Sequence, residues 1–211
     1  MIRTMSKSRK AARILFLITA VFALTTFVDR LFSAILIGPL DLDTADTVLQ
    51  LVSDLALASL TLYAFFAQKT EKLKKFVIFL IIYEAFVLAQ GIYGLCFFGI
   101  YIEKDILSRL IEWIFALHDS YLPLFAALTL LPPVLGKRSK VIFVISVILI
   151  SICLIEELLL SASEINWFLH NGLQIKGLIT RIAYTFIDIT FFTSLLLTAI
   201  DINIRKPAAA D

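Results

Sequence analysis

The chain has 211 residues, 60% of them apolar and 17% charged, and a net charge of +2; its mean hydropathy is +0.95. A soluble domain carries about 25% charged and 45–50% apolar residues, so a soluble enzyme, a disordered chain and a nucleic-acid-binding module are excluded. Lipid is the solvent for most of this chain, and the small net charge gives no polyanion-binding surface.

A hydrocarbon core about 30 Å thick needs about 20 consecutive apolar residues in helix, and six stretches qualify. The first covers residues 11–37. Arg3, Lys7, Arg9, Lys10 and Arg13 precede it like the n-region of a signal peptide. The apolar run from Ile14 to Ile37 exceeds the roughly 7–15 residues of a signal core, and no A-x-A site follows, so a retained first membrane helix is expected. The short acidic turn Gly38-Pro39-Leu40-Asp41-Leu42-Asp43 leads to a second helix over 47–67. A basic loop with Lys69, Lys72, Lys74 and Lys75 precedes the third, over 76–100. The fourth covers 106–135, where Pro123 removes an N–H and frees the carbonyl of Asp119. After Lys137, Arg138 and Lys140 comes the fifth, over 141–160. Residues 161–177 mix Trp167 and Phe168 with Glu164, His170 and Lys176, and are expected to lie along the outer membrane surface as an interfacial segment. The sixth covers 178–202. The runs are too long and continuous for barrel strands, which alternate over about 10 residues.

Fourteen of the nineteen cations fall in the N-terminal segment, the loops near Lys72 and Arg138, and the tail with Arg205 and Lys206; the others are Arg30, Lys104, Arg109, Lys176 and Arg181. The positive-inside rule then makes both termini cytoplasmic, which agrees with an even number of spans. The expected fold is an all-α, polytopic integral membrane protein: one domain over 1–211, with six transmembrane helices in three hairpins.

Ionisable groups within spans are costly and usually face a bundle interior. At about 1.5 Å per residue, Asp54, Glu112, Glu156, Arg181 and Asp188 fall in the outer half, and Asp54, Asp188 and Arg181 are expected to face one another. Glu84, His118 and Asp119 fall deeper, at matched depth on the third and fourth helices. The expected contact there is Glu84 with His118, beside the carbonyl freed by Pro123. Such a set can bind a cation, relay a proton or simply hold helices together. Two histidines exclude a His-rich metal site, and no metal or cofactor is expected. Cys96 and Cys153 lie in apolar runs and form no CxxC motif. Glu156-Glu157 is like a paired-glutamate protease motif, but Ser161 stands where the arginine of that motif belongs.

The Arg9-Lys10-Ala11-Ala12-Arg13 opening, the Gly38-Pro39-Leu40 turn, Tyr83-Glu84-Ala85 and Ala116-Leu117-His118-Asp119 together resemble a group of bacterial six-helix membrane proteins, domain-of-unknown-function family 4386. The resemblance covers roughly the first five helices. Ile81 stands where that family tends to carry an arginine, and early glycines are lacking in the first helix. The resemblance implies six-helix topology and a bacterial membrane.

Three functions fit these features. The leading one is a non-catalytic accessory, interaction or sensor subunit of the bacterial cytoplasmic membrane. The alternative is a small transport module for a cation or a proton-coupled solute, using the intramembrane acids. The third is an intramembrane lipid-modifying enzyme. Expected partners are membrane lipid and a second copy or a larger membrane complex, with no nucleic acid.

Overall fold

The structure, a computed structural model, describes residues 7–37, 44–67, 70–98, 117–137, 139–170 and 175–204. They form six helices: α1 Lys7–Ile37, α2 Thr44–Phe66, α3 Thr70–Phe98, α4 His118–Val134, α5 Lys140–His170 and α6 Ile175–Ile204. No strand occurs among the described residues. All but α4 are long and apolar enough to cross a membrane, so the chain is a multi-pass helical membrane protein. As described, α4 has 17 residues, about 26 Å of helix. The expected start of this helix at residue 106 lies outside the described residues.

Helix ends follow the breakers in the sequence. Leu135 caps α4, and Gly136 follows it at φ 86°. The Gly136 N–H donates to the Pro133 carbonyl (3.1 Å) and the Lys137 N–H to the Pro132 carbonyl (2.9 Å). These are the two bonds of a Schellman cap, which needs a left-handed residue that glycine adopts without steric penalty. The largest departure from expectation is α5. Residues 161–177 do not form a separate surface segment: 161–170 continue α5, 171–174 lie outside the described residues, and 175–177 open α6. No Gly or Pro stands between Lys140 and His170, so nothing stops the helix at residue 160, and its 31 residues span about 46 Å. The basic start of α3 is also helical from Thr70.

The six helices close into a ring in chain order. The most extensive contacts are α1 with α6, α1 with α2, and α5 with α6; α3 on α4, α4 on α5 and α2 on α3 complete the circuit. Cross-links fix antiparallel directions. Arg13 Nε donates to the Phe65 carbonyl at 2.7 Å and Arg30 to Gln50 at 2.8 Å, joining the two ends of α1 to opposite ends of α2. Ser146 reaches the Thr129 carbonyl at 3.4 Å, while His118 reaches Glu156 at 2.6 Å, so α4 and α5 are antiparallel too. Thr19 and Thr190 meet at 2.8 Å across α1 and α6. An even number of alternating helices lets α6 return antiparallel to α1, which closes the ring.

One end of the ring is basic, with Lys7, Arg9, Lys10 and Arg13 beside the end of α2. The half nearest this end is filled by Phe16, Leu60, Phe76, Leu80, Leu130, Ile150 and Leu195, drawn from all six helices. Phe16 and Phe76 meet edge to face at 5.3 Å. Lipid tails are as apolar as leucine, so packing and hydrogen bonding, rather than escape from water, hold such a core together. Of the five membrane-length helices α6 is the most interior: 56% of its most apolar stretch is buried, against 17% for α5.

Candidate functional site

Polar groups in the basic half are satisfied locally. Thr190, Ser194 and Thr198 form a buried file on α6, and each hydroxyl donates to the carbonyl four residues earlier, at 2.7, 2.5 and 2.8 Å. The file leads from the level of Asp188 towards buried Asp201. There a cavity of about 20 Å³ lies among Arg9, Arg13, Thr198 and Asp201, room for one water molecule.

Charges dominate the other half. Arg30 of α1 is the first hub. Its guanidinium donates to Gln50 Oε1 at 2.8 Å and to the Tyr184 hydroxyl, and its Nε lies 3.5 Å from Asp54 Oδ2. At that distance Asp54 Oδ2 accepts no hydrogen bond although it is buried. Arg181 of α6 is the second hub. It donates to Ser161 Oγ at 3.3 Å, and Thr185 donates to the same oxygen at 2.8 Å. Arg181 Nε sits 2.8 Å from Glu164 Oε2, but the two are not aligned as a hydrogen bond. Asp188 and Glu157 are electrostatic neighbours of each other and of Arg181.

Glu84 of α3 is buried, 3% exposed. The charge it feels most is that of Asp188, another acid. Tyr83 beside it feels Glu84, Asp188 and Asp54, and its hydroxyl lies 3.5 Å from Ser53 Oγ. Four carboxylates (Asp54, Glu84, Glu157, Asp188) therefore share the interior with two arginines. A buried carboxyl among other acids either keeps its proton or takes a positively charged neighbour.

Two expected contacts are redistributed. Arg181 does lie near Asp188, but the cation of Asp54 is Arg30. His118 does not join Glu84. Its Nε2 lies 2.6 Å from Glu156 Oε1 and 3.0 Å from Asp119 Oδ1. Helix register is the reason. A Cβ added at Gly91 would lie 3.0 Å from Leu117 Cδ2 and 3.2 Å from Ser120 Oγ, so the start of α4 is level with Gly91. Glu84 comes seven residues earlier, about 10 Å further along the helix axis. Of the expected site residues, Glu112 lies outside the described residues, as does Arg109.

The sequence marks Arg30 and Glu157 as intramembrane charges, Tyr184 as sharing a face with Arg181 and Asp188, and Gln50 as sharing the stripe of Asp54, but assigns none of them to the site; Tyr83, Ser161 and Glu164 had no role in it. The signal for Glu157 was its adjacency to Glu156. Successive helical residues point about 100° apart, so one of two adjacent acids turns to α4 and the other to α6.

No family model matches this chain, and no curated protein or solved structure matches it.

Proposed function

We propose that the chain is a six-span protein of the bacterial cytoplasmic membrane with both termini cytoplasmic, and that it is a non-catalytic sensor subunit whose state is set by a hard cation entering from the outer side. The cation sits among Asp54, Glu84, Glu157 and Asp188. The orientation is supported by the crowding of Lys and Arg at one end. The observation that carries the function is Glu84, buried beside another acid, Asp188, where acids outnumber arginines. An all-oxygen donor set favours Na⁺, Mg²⁺ or Ca²⁺ over softer metals. Half-exposed Glu164 beside Arg181 marks the end from which the cation arrives. Sensing is preferred to transport because the apolar layer of Phe76, Leu80, Leu130, Ile150 and Leu195 closes the basic half.

The test is thermal unfolding of the detergent-solubilised protein in NaCl, MgCl₂ or CaCl₂ at constant ionic strength, with choline chloride as the control. One of the three cations raises the midpoint saturably, and Glu84→Gln with Asp188→Asn removes the rise. Equal midpoints in all four salts would refute the proposal. The hydroxyl file on α6, between Asp188 and Asp201, favours transport as a second reading. Cation flux into proteoliposomes, lost in Glu84→Gln, would replace the sensor with a transporter.

A further inference from the structure

A second polar cluster lies outside the acid layer, between α4 and α5. His118 Nε2, Asp119 Oδ1 and Glu156 Oε1 come from the first turn of α4 and the outer part of α5, and the three ligand atoms lie within 4.8 Å of one another. Both carboxylates converge on the same nitrogen, at 2.6 and 3.0 Å. An imidazole nitrogen carries at most one proton, so one hydrogen position serves two acceptors. Even a charged imidazole leaves the trio with a net negative charge. Glu156 lies sixteen residues beyond Lys140, about 24 Å from the basic end of α5.

From this geometry we infer that His118, Asp119 and Glu156 form a binding site for a borderline divalent cation of the Zn²⁺ class. Ligands about 2.0–2.2 Å from a tetrahedral zinc stand about 3.3 Å apart. Both nitrogen–oxygen distances, 2.6 and 3.0 Å, are shorter than that, so modest side-chain rotations that lengthen them open the trio around an ion. One imidazole nitrogen and two carboxylate oxygens match Zn²⁺, whereas an all-oxygen site would suit Mg²⁺ or Ca²⁺. Three protein ligands leave a fourth position open. A groove of about 410 Å³ adjoins it, lined by His118, Glu156, Ile152, Ile155, Leu159 and Leu160. A metal-bound water therefore has room beside apolar walls. The scarcity of histidine excludes a His-rich site but not this mixed one. The inference does not rest on the acid layer: Glu156 turns to α4, and Glu157 alone turns inward.

The test is equilibrium dialysis of the full-length, detergent-solubilised protein against ZnCl₂, with bound metal measured by elemental analysis. The wild type takes up one Zn²⁺ per chain, saturably. Co²⁺ competes and a hundredfold excess of Mg²⁺ does not. His118→Asn, Glu156→Gln and Asp119→Asn each weaken binding at least tenfold, while Glu84→Gln with Asp188→Asn leaves it unchanged. The wild-type stoichiometry and metal ranking need no variant, so a variant that misfolds does not shield the inference. Absence of saturable Zn²⁺ binding by the folded wild type would overturn it, and so would full binding by a folded His118→Asn/Glu156→Gln protein. Zn²⁺ binding lost in Glu84→Gln/Asp188→Asn but kept in His118→Asn would move the metal to the interior and also refute it.

Discussion

The two halves of the bundle solve the same problem in opposite ways. Near the basic end, most buried hydroxyls bond to their own helix (Thr61 to Leu57, Thr190 to Phe186, Ser146 to Ile142), and the links between helices there end on backbone carbonyls or on the Thr19–Thr190 pair. The bonds within a helix survive if the helices slide or separate. In the other half the polar groups are charges, and nearly every partner belongs to another helix: Arg30 of α1 with Asp54 of α2 and Tyr184 of α6, Arg181 of α6 with Ser161 of α5, His118 of α4 with Glu156 of α5. Those partnerships exist only in one register. The basic half therefore depends less on exact alignment, and the charged half is where alignment, and any guest that alters it, is felt most.

Substitutions can break this contrast. The largest effect belongs to Arg30. Arg30→Met strands Asp54 and destabilises by about 3 kcal/mol, the low end for a broken buried pair because Arg30 is partly exposed. Arg30→Met with Asp54→Leu loses less than Arg30→Met alone. Unfolding in mixed detergent–SDS micelles measures both, and strictly additive losses would show that the two residues are not coupled.

Leu80→Ala tests the basic half. Leu80 is fully buried, and lipid offers its side chain an apolar alternative, so the cost is chiefly that of the cavity, about 2 kcal/mol. The same unfolding assay reads it. Cation-dependent stabilisation should persist in this variant, since the acid layer is untouched.

Gly136→Ala forces an L-residue to φ 86°, at about 1–2 kcal/mol. Its effect is independent of cations and of pH. A change in cation affinity in Gly136→Ala would mean that the end of α4 is coupled to the charged half.

The smallest effect is at Thr19 and Thr190, which meet at 2.8 Å. A double-mutant cycle with Thr19→Val and Thr190→Val yields a coupling of about 0.6 kcal/mol, typical for hydroxyls between membrane helices that also back-bond to their own turn. A coupling well above that would identify this contact as the clamp of the α1–α6 seam.

Helix existence was legible in the sequence because it depends on quantities that sum along the chain. Apolar runs of about 20 residues and breakers such as Gly136 announce helices and their stops without reference to neighbours. The extension of α5 to His170 was missed by the reading that ended the helix at residue 160, although no breaker lies before Asn171. Polar membership of the interior was also legible, because ionisable residues within spans avoid lipid: Asp54, Glu84, Arg181 and Asp188 all belong to the charged half.

Partner choice was decided only by the tertiary structure. Depth counted from predicted helix ends matched Glu84 to His118, but a slip of seven residues between α3 and α4 moves a side chain about 10 Å. Gly91 permits the register that places Leu117 and Ser120 beside it, and thereby hands His118 to Glu156. In the same way, the rotation of α5 about its axis divides two adjacent glutamates between different neighbours. The sequence by itself determined how many helices form and which residues avoid lipid, because those follow from local composition. Register and rotation are relations between helices, so the structure alone decided which acid meets which cation, and which acid lies beside another acid.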